Sequence, residues 1–146
     1  MDLYTRKIVG LAVYTTHAIQ LVLAALMAAL HNNPRPTIFN SANGSEYNAE
    51  VFMNALKTVG AAISRSAPGC PWENGYQESF HSQLKVDLGD PNRFSTLGEL
   101  VYEIYRTIYV YNHARIHTAL KMPPEQFALR AALTYTLLNQ PNRIGV

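Results

Sequence analysis

Glu78 is the residue with the most chemical potential. It lies in the run Asn74-Gly-Tyr-Gln-Glu-Ser-Phe, and Asn74, Glu78, His81 and Lys85 recur at i, i+4, i+7 and i+11. On a helix that spacing puts all four on one face. A carboxylate is a hard oxygen ligand, and a lysine lies two turns further along the same face. By residue type alone, Glu78 reads as a solvated surface acid and Lys85 as a surface lysine. His113 and His117, at i and i+4, could share a metal, but no carboxylate or third ligand accompanies them. That favours a structural role beside Arg115. The series Tyr102, Tyr105, Tyr109 and Tyr111 reads as packing rather than as a base-stacking platform.

Composition narrows the class. A chain of 146 residues favours one domain, and 48% hydrophobic with 15% charged residues excludes a disordered one. A net charge of +2 supplies no strong basic field of the kind that advertises nucleic acid. The single Cys70 cannot form an internal disulfide, which fits a reducing, cytoplasmic setting. No Cys/His cluster has zinc-finger spacing. Residues 8–30 are mostly apolar and follow Arg6 and Lys7, like a signal peptide. Thr15, Thr16, His17 and Gln20 interrupt them, however, and the unbroken run 21–30 is too short to span a bilayer. No membrane partner is expected.

The elements follow from periodicity. Residues 6–14 begin with β-branched residues and read as a strand covered on both faces. Residues 17–31 are apolar nearly all round, which predicts a deeply buried helix stopped by Asn33-Pro34. Residues 37–40 read as a short strand that runs into the polar loop Asn40-Ser-Ala-Asn-Gly-Ser. Asn48 is placed to cap a helix with Val51/Phe52, Ala55/Leu56 and Val59 on one stripe, ended by Gly60. Residues 61–64 read as another strand. Residues 71–88 form the helix that carries Glu78, with Tyr76, Phe80, Leu84 and Leu88 facing the core. Ser95 or Thr96 caps a helix whose inner stripe is Leu97, Leu100/Val101, Ile104, Ile108 and Tyr111. Pro123-Pro124 opens a last helix to about Leu133, and residues 134–146 read as a tail. Strands alternating with helices define an α/β chain.

Three stretches resemble the DDE-type transposase and retroviral-type integrase catalytic core, most closely that of bacterial insertion sequences. The loop from Asn40 is similar to the family's His-Ser-Asp-x-Gly-x-x-Tyr. Thirty-five residues separate Ala42 from Glu78, the spacing the family keeps between its second Asp and its Glu. Tyr111-Asn-His-Ala-Arg-Ile-His-Thr-Ala-Leu with Pro123-Pro-Glu-Gln-Phe resembles the family's Tyr-Asn-x-x-Arg-x-His-x-x-Leu…Pro-x-x-Phe, and Asp2-Leu-Tyr-Thr-Arg-Lys-Ile-Val-Gly a strand-joining turn. The resemblance covers residues 2–127 and implies a ribonuclease H-like fold with additional C-terminal helices, its core domain spanning residues 1–133.

That family cuts DNA and joins the freed 3′ hydroxyl to a target phosphate, using two divalent metals, Mg²⁺ or Mn²⁺, about 3.5–4 Å apart. Three carboxylates hold them. Here Glu78 matches the third, alanine stands at the second (Ala42), and the first belongs to a strand that this N-terminally truncated sequence lacks. The resemblance therefore implies a DNA transposition or integration protein with an incomplete metal site at Glu78, inactive by itself; the alternative is a non-enzymatic DNA-binding or oligomerising module. DNA contacts are expected from Asn74, Lys85, Arg106, Arg115, Lys121 and Arg130. In the family's fold the absent first strand lies within the sheet, beside residues 37–40. An open edge there invites pairing with another chain, so a homodimer is expected in preference to residues 6–14 moving into the gap.

Overall fold

The computed structural model describes residues 1–16, 18–67 and 69–139. In chain order the elements are α1 (Ile19–Asn32), β1 (Ile38–Ser41), α2 (Ser45–Asn48), α3 (Glu50–Thr58), β2 (Ala62–Arg65), α4 (Gly75–Leu88), α5 (Leu97–His113) and α6 (Pro124–Leu138). Short 3₁₀ turns, Pro71–Asn74 and Pro91–Arg93, lead into α4 and towards α5.

The two strands run parallel in the register Ile38↔Ala62 to Ser41↔Arg65. A parallel pair needs a crossover, and α2 with α3 provides it. Phe52 and Leu56 project from α3 into one core with Leu26 of α1 and Ala61. Phe39 and Tyr47 pack edge-on against the Phe52 ring. Gly60, at φ +78°, closes α3: its N–H bonds to Lys57 O at 3.0 Å and the Ala61 N–H to Leu56 O at 3.0 Å. This left-handed closure suits glycine. A second core joins Ile8, Phe80 of α4, and Ile108 and Tyr111 of α5.

Residues 6–14 correct the first strand expectation. They form no strand among the described residues, and Arg6 lies in the left-handed region at φ +61°. Side chains supply the bonds instead. Asn112 Oδ1 accepts from the Ile8 N–H at 2.9 Å, and its Nδ2 donates to Ile8 O at 3.0 Å. The Tyr111 hydroxyl donates to Arg6 O at 3.2 Å. Asn33 Nδ2 donates to Val9 O at 3.2 Å and to Ala29 O at 2.8 Å, ending α1 as it does so. Gly10 lies against α1 so closely that a Cβ there would sit 2.4 Å from Ala25 O and 2.7 Å from Ala29 Cβ. The segment thus occupies a middle layer, with α1 on one side and α5 on the other. Further out, Lys7 pairs with Glu125 at 2.6 Å and Tyr4 meets the Phe127 ring, tying α6 to the segment.

Other boundaries also differ. The expected helix start at His17 lies outside the described residues. Only Leu26 of α1 is buried and Met27 is 68% exposed, because a sheet of two short strands covers little of an all-round apolar helix. Asn48 caps nothing; it ends α2 and its amide bonds to Asn43 Oδ1, while α3 starts without a side-chain cap. Tyr76 is exposed rather than in the core, with the Arg6 guanidinium 3.4 Å above its ring. Leu97 is exposed as well. The Thr96 hydroxyl accepts from the Glu99 N–H, as expected of a cap. The last helix runs past Leu133 to Leu138, with the Thr134 and Thr136 hydroxyls bonded back to Arg130 O and Ala132 O. Of the expected tail, residues 140–146 lie outside the described residues. No helix among those described is long and apolar enough to cross a membrane.

Candidate functional site

The site forms where β1 ends and α4 begins. Alternation along β1 puts Asn40 on one face and buries Ser41 on the other; Ala42 follows at an exposed position. Asn40 Nδ2 donates to Asn74 Oδ1 at 2.6 Å, and Ser64 Oγ of β2 donates to Asn40 Oδ1 at 2.9 Å. The two strands and the start of α4 therefore meet through neutral groups. One turn after Asn74, Glu78 is exposed, in the first turn of α4. His81 bonds to Gln77 along the same helix at 3.1 Å. Lys85 follows, exposed, near the end of α4.

Two divalent ions need several oxygen ligands each, and three carboxylates in the family's arrangement. Here position 40 offers an amide, position 42 a methyl group, and only Glu78 a carboxylate. The neighbouring Glu73 is engaged elsewhere, accepting the Ala67 N–H at 2.7 Å. Among the described residues no group of three His, Cys, Asp or Glu side chains could hold a metal. The residues present do not fit a two-metal centre.

The remaining expected DNA contacts are placed unequally. Arg115 is paired with Asp87, and Arg106 with Glu103 at 2.7 Å. Both guanidiniums line one open cleft of about 420 Å³ beside those carboxylates. Lys121 is exposed on a turn, at φ +61°, where His117 and Met122 form an antiparallel bridge. Arg130 is exposed on α6.

The stretch from Tyr111 to His117 proves to be an organiser of the fold. Tyr111 and Asn112 hold the N-terminal segment, and Arg115 fastens α4 to the end of α5. His113 and His117 do not share a face, because α5 stops at His113. The His113 ring stacks on Tyr109 at 4.1 Å, and its Nδ1 lies 2.9 Å from Tyr109 O. His117 Nδ1 is buried without a partner among the described residues. Burial first, then the Arg6 and Arg115 guanidiniums, push the His117 pKa down. Burial pushes the Tyr111 hydroxyl up, against the same two cations. Of the tyrosine series only Tyr111 packs inside; Tyr102, Tyr105 and Tyr109 are exposed, which corrects the packing expectation for those three. Asn112 and Arg6 were missed as organisers. The signal for Asn112 was its place beside Tyr111 in the quoted stretch.

Helices around a parallel strand pair, with the candidate site at the strand end, are consistent with an α/β integrase-core fold. The matches to known proteins agree. An integrase core domain model matches residues 59–124, a span that includes Glu78 and begins after Ala42. The transposase for insertion sequence element IS904 of Lactococcus lactis is 33% identical over 82% of this chain and 49% of its own length. Transposase InsF for insertion sequence IS3A of Escherichia coli is 30% identical over 87% of the chain and 46% of its own. The chain thus spans about half the length of the curated relatives it matches. The catalytic core domain of BIV integrase superposes with a TM-score of 0.67 at 18% identity, covering 86% of this chain and 80% of that one. A simian T-cell lymphotropic virus intasome, in complex with PP2A regulatory subunit B56 gamma, gives a TM-score of 0.68 at 18% identity, over 91% and 44%. Over residues 59–124 the chain matches an integrase core domain, and over most of its length it is similar to transposases of bacterial insertion sequences.

Proposed function

We propose that this chain engages DNA as part of a transposition or integration apparatus and does not itself cut or join strands. The observation that carries this reading is the methyl group of Ala42 where the second metal ligand would stand. A lone Glu78 cannot hold two Mg²⁺ or Mn²⁺ ions, and without them nothing at the site activates a nucleophile or stabilises the leaving oxygen. DNA is the partner, by analogy with the transposase relatives. Lys85 and Lys121 are its foremost phosphate contacts, since both are exposed and neither is ion-paired among the described residues. Arg106 and Arg115 can join them only by leaving Glu103 and Asp87. Asn74 contributes indirectly, through the bond to Asn40.

Binding of this kind is weak, tolerant of sequence and salt-sensitive. Fluorescence anisotropy of a labelled duplex across a salt series tests it. Log affinity should fall with log salt at a slope of about −0.9 for each phosphate neutralised. Lys85→Ala and Lys121→Ala should each make the slope shallower by about one contact. Affinity that is absent, or indifferent to salt, contradicts the proposal.

We further propose that the chain assembles as a homodimer, acting in the cytoplasm. Two features support it. Residues 11–16 pair with no strand among the described residues and line an apolar trough of about 330 Å³ with Leu21 and Ile104. Large apolar side chains stay exposed on α5 and α6, among them Tyr102, Tyr109, Leu129 and Leu133. Unpaired backbone beside exposed apolar surface invites a second chain. Sedimentation at micromolar concentration decides it: twice the chain mass is expected, and a stable, cooperatively unfolding monomer contradicts it.

A further inference from the structure

Ions in a two-metal site do more than chemistry: ligands from separate elements converge on them, so the ions also tie those elements together. In this chain the same gap is spanned without an ion. Asn40 lies in β1 two residues before Ala42, and Asn74 ends the 3₁₀ turn that leads into α4, four residues before Glu78. The 2.6 Å bond between their amides therefore joins the end of β1, just before position 42, to the start of α4, the helix that carries Glu78. Ser64 completes a one-way chain, hydroxyl to Asn40 carbonyl and Asn40 amide to Asn74 carbonyl, in which each bond polarises the next. Every member is neutral. The network needs no counter-ion and sets no second negative charge beside Glu78.

We propose that the Asn40–Asn74 pair, backed by Ser64, is a metal-free latch that fixes the start of α4 to the strand pair in place of bridging ions. Glu78 is then held in position by hydrogen bonds rather than by ligation. The latch is exposed to water, so its contribution is modest: loss of one such bond in a domain of this size lowers Tm by about 2–4 °C.

The test needs only the chain itself, and no DNA. Thermal unfolding is measured with EDTA and with millimolar Mg²⁺ for the unaltered chain, Asn40→Ala, Asn74→Ala and the double variant. Amide exchange is followed over the first turn of α4. The expected result is a Tm indifferent to Mg²⁺ in the unaltered chain and a fall of about 2–4 °C in each single variant. The double variant should lose less than the sum of the two, and exchange at the Gln77 and Glu78 amides should quicken in all three. A Mg²⁺-dependent rise in the Tm of the unaltered chain overturns the proposal. So do additive losses in the double variant, or exchange at the start of α4 that neither substitution changes.

Discussion

Truncating Asn112 leaves the Ile8 N–H and C=O buried without the partners that now bond to them at 2.9 and 3.0 Å. Each orphaned group bears a desolvation cost, so Asn112→Ala should destabilise the chain by about 1–3 kcal/mol. Asn112→Asp should also be harmful, because the donor to Ile8 O is lost. Denaturant unfolding of both variants checks this, and a midpoint equal to that of the unaltered chain contradicts it. His117 sets a pH limit at the same scale. Its pKa is held below the ordinary 6.5 by burial and by the Arg6 and Arg115 guanidiniums. As pH falls, the unfolded chain takes up this proton first, so stability drops below about pH 6.5 until the folded ring also protonates. His117→Gln should flatten that limb of the stability curve, measured by urea unfolding on either side of about pH 6.5. An unchanged limb would show that other groups carry it.

At the scale of elements, the segment of residues 6–14 is held by what fits between α1 and α5. A methyl group at Gly10 would meet Ala25 O and Ala29 at under 3 Å, mostly backbone that cannot give way. Gly10→Ala should therefore destabilise by about 1–3 kcal/mol, the range for overpacking, read as a lowered denaturant midpoint. A neutral substitution would mean that the segment does not pack there. This segment also marks the limit of what sequence pattern can say. Its β-branched, apolar residues encode a strand covered on both faces, but it forms none: of residues 6–14 only Ile8 is buried, and Tyr14 is exposed. A ladder depends on a neighbour, which no local pattern records. The same holds for α1, whose apolar girth predicts burial that two short strands cannot provide. Local signals fared better: the Gly60 closure, the Thr96 cap and the Phe52/Leu56 stripe each depend on contacts within a few residues or one βαβ unit. At the site, the spacing from Ala42 to Glu78 was legible. The pairing of Arg115 with Asp87, and of Asn40 with Asn74, was not, since each joins residues far apart in the chain.

For the whole molecule, the integrase-type core and its one remaining carboxylate point in different directions, and their combination is the central claim. The fold and the similarity to insertion-sequence transposases support the proposal that the chain works in DNA transposition or integration, while Ala42 in place of a carboxylate supports the proposal that it does not itself catalyse. Ala42→Asp alone should restore nothing, because one added ligand beside Glu78 still leaves the carboxylate set incomplete. The most direct measurement is a cleavage and strand-transfer assay on supercoiled and end-labelled DNA, with Mg²⁺ and then Mn²⁺, for the unaltered chain and Glu78→Gln. No product above background is expected from either protein with either metal. Nicked or joined product from the unaltered chain that disappears in Glu78→Gln would contradict the account.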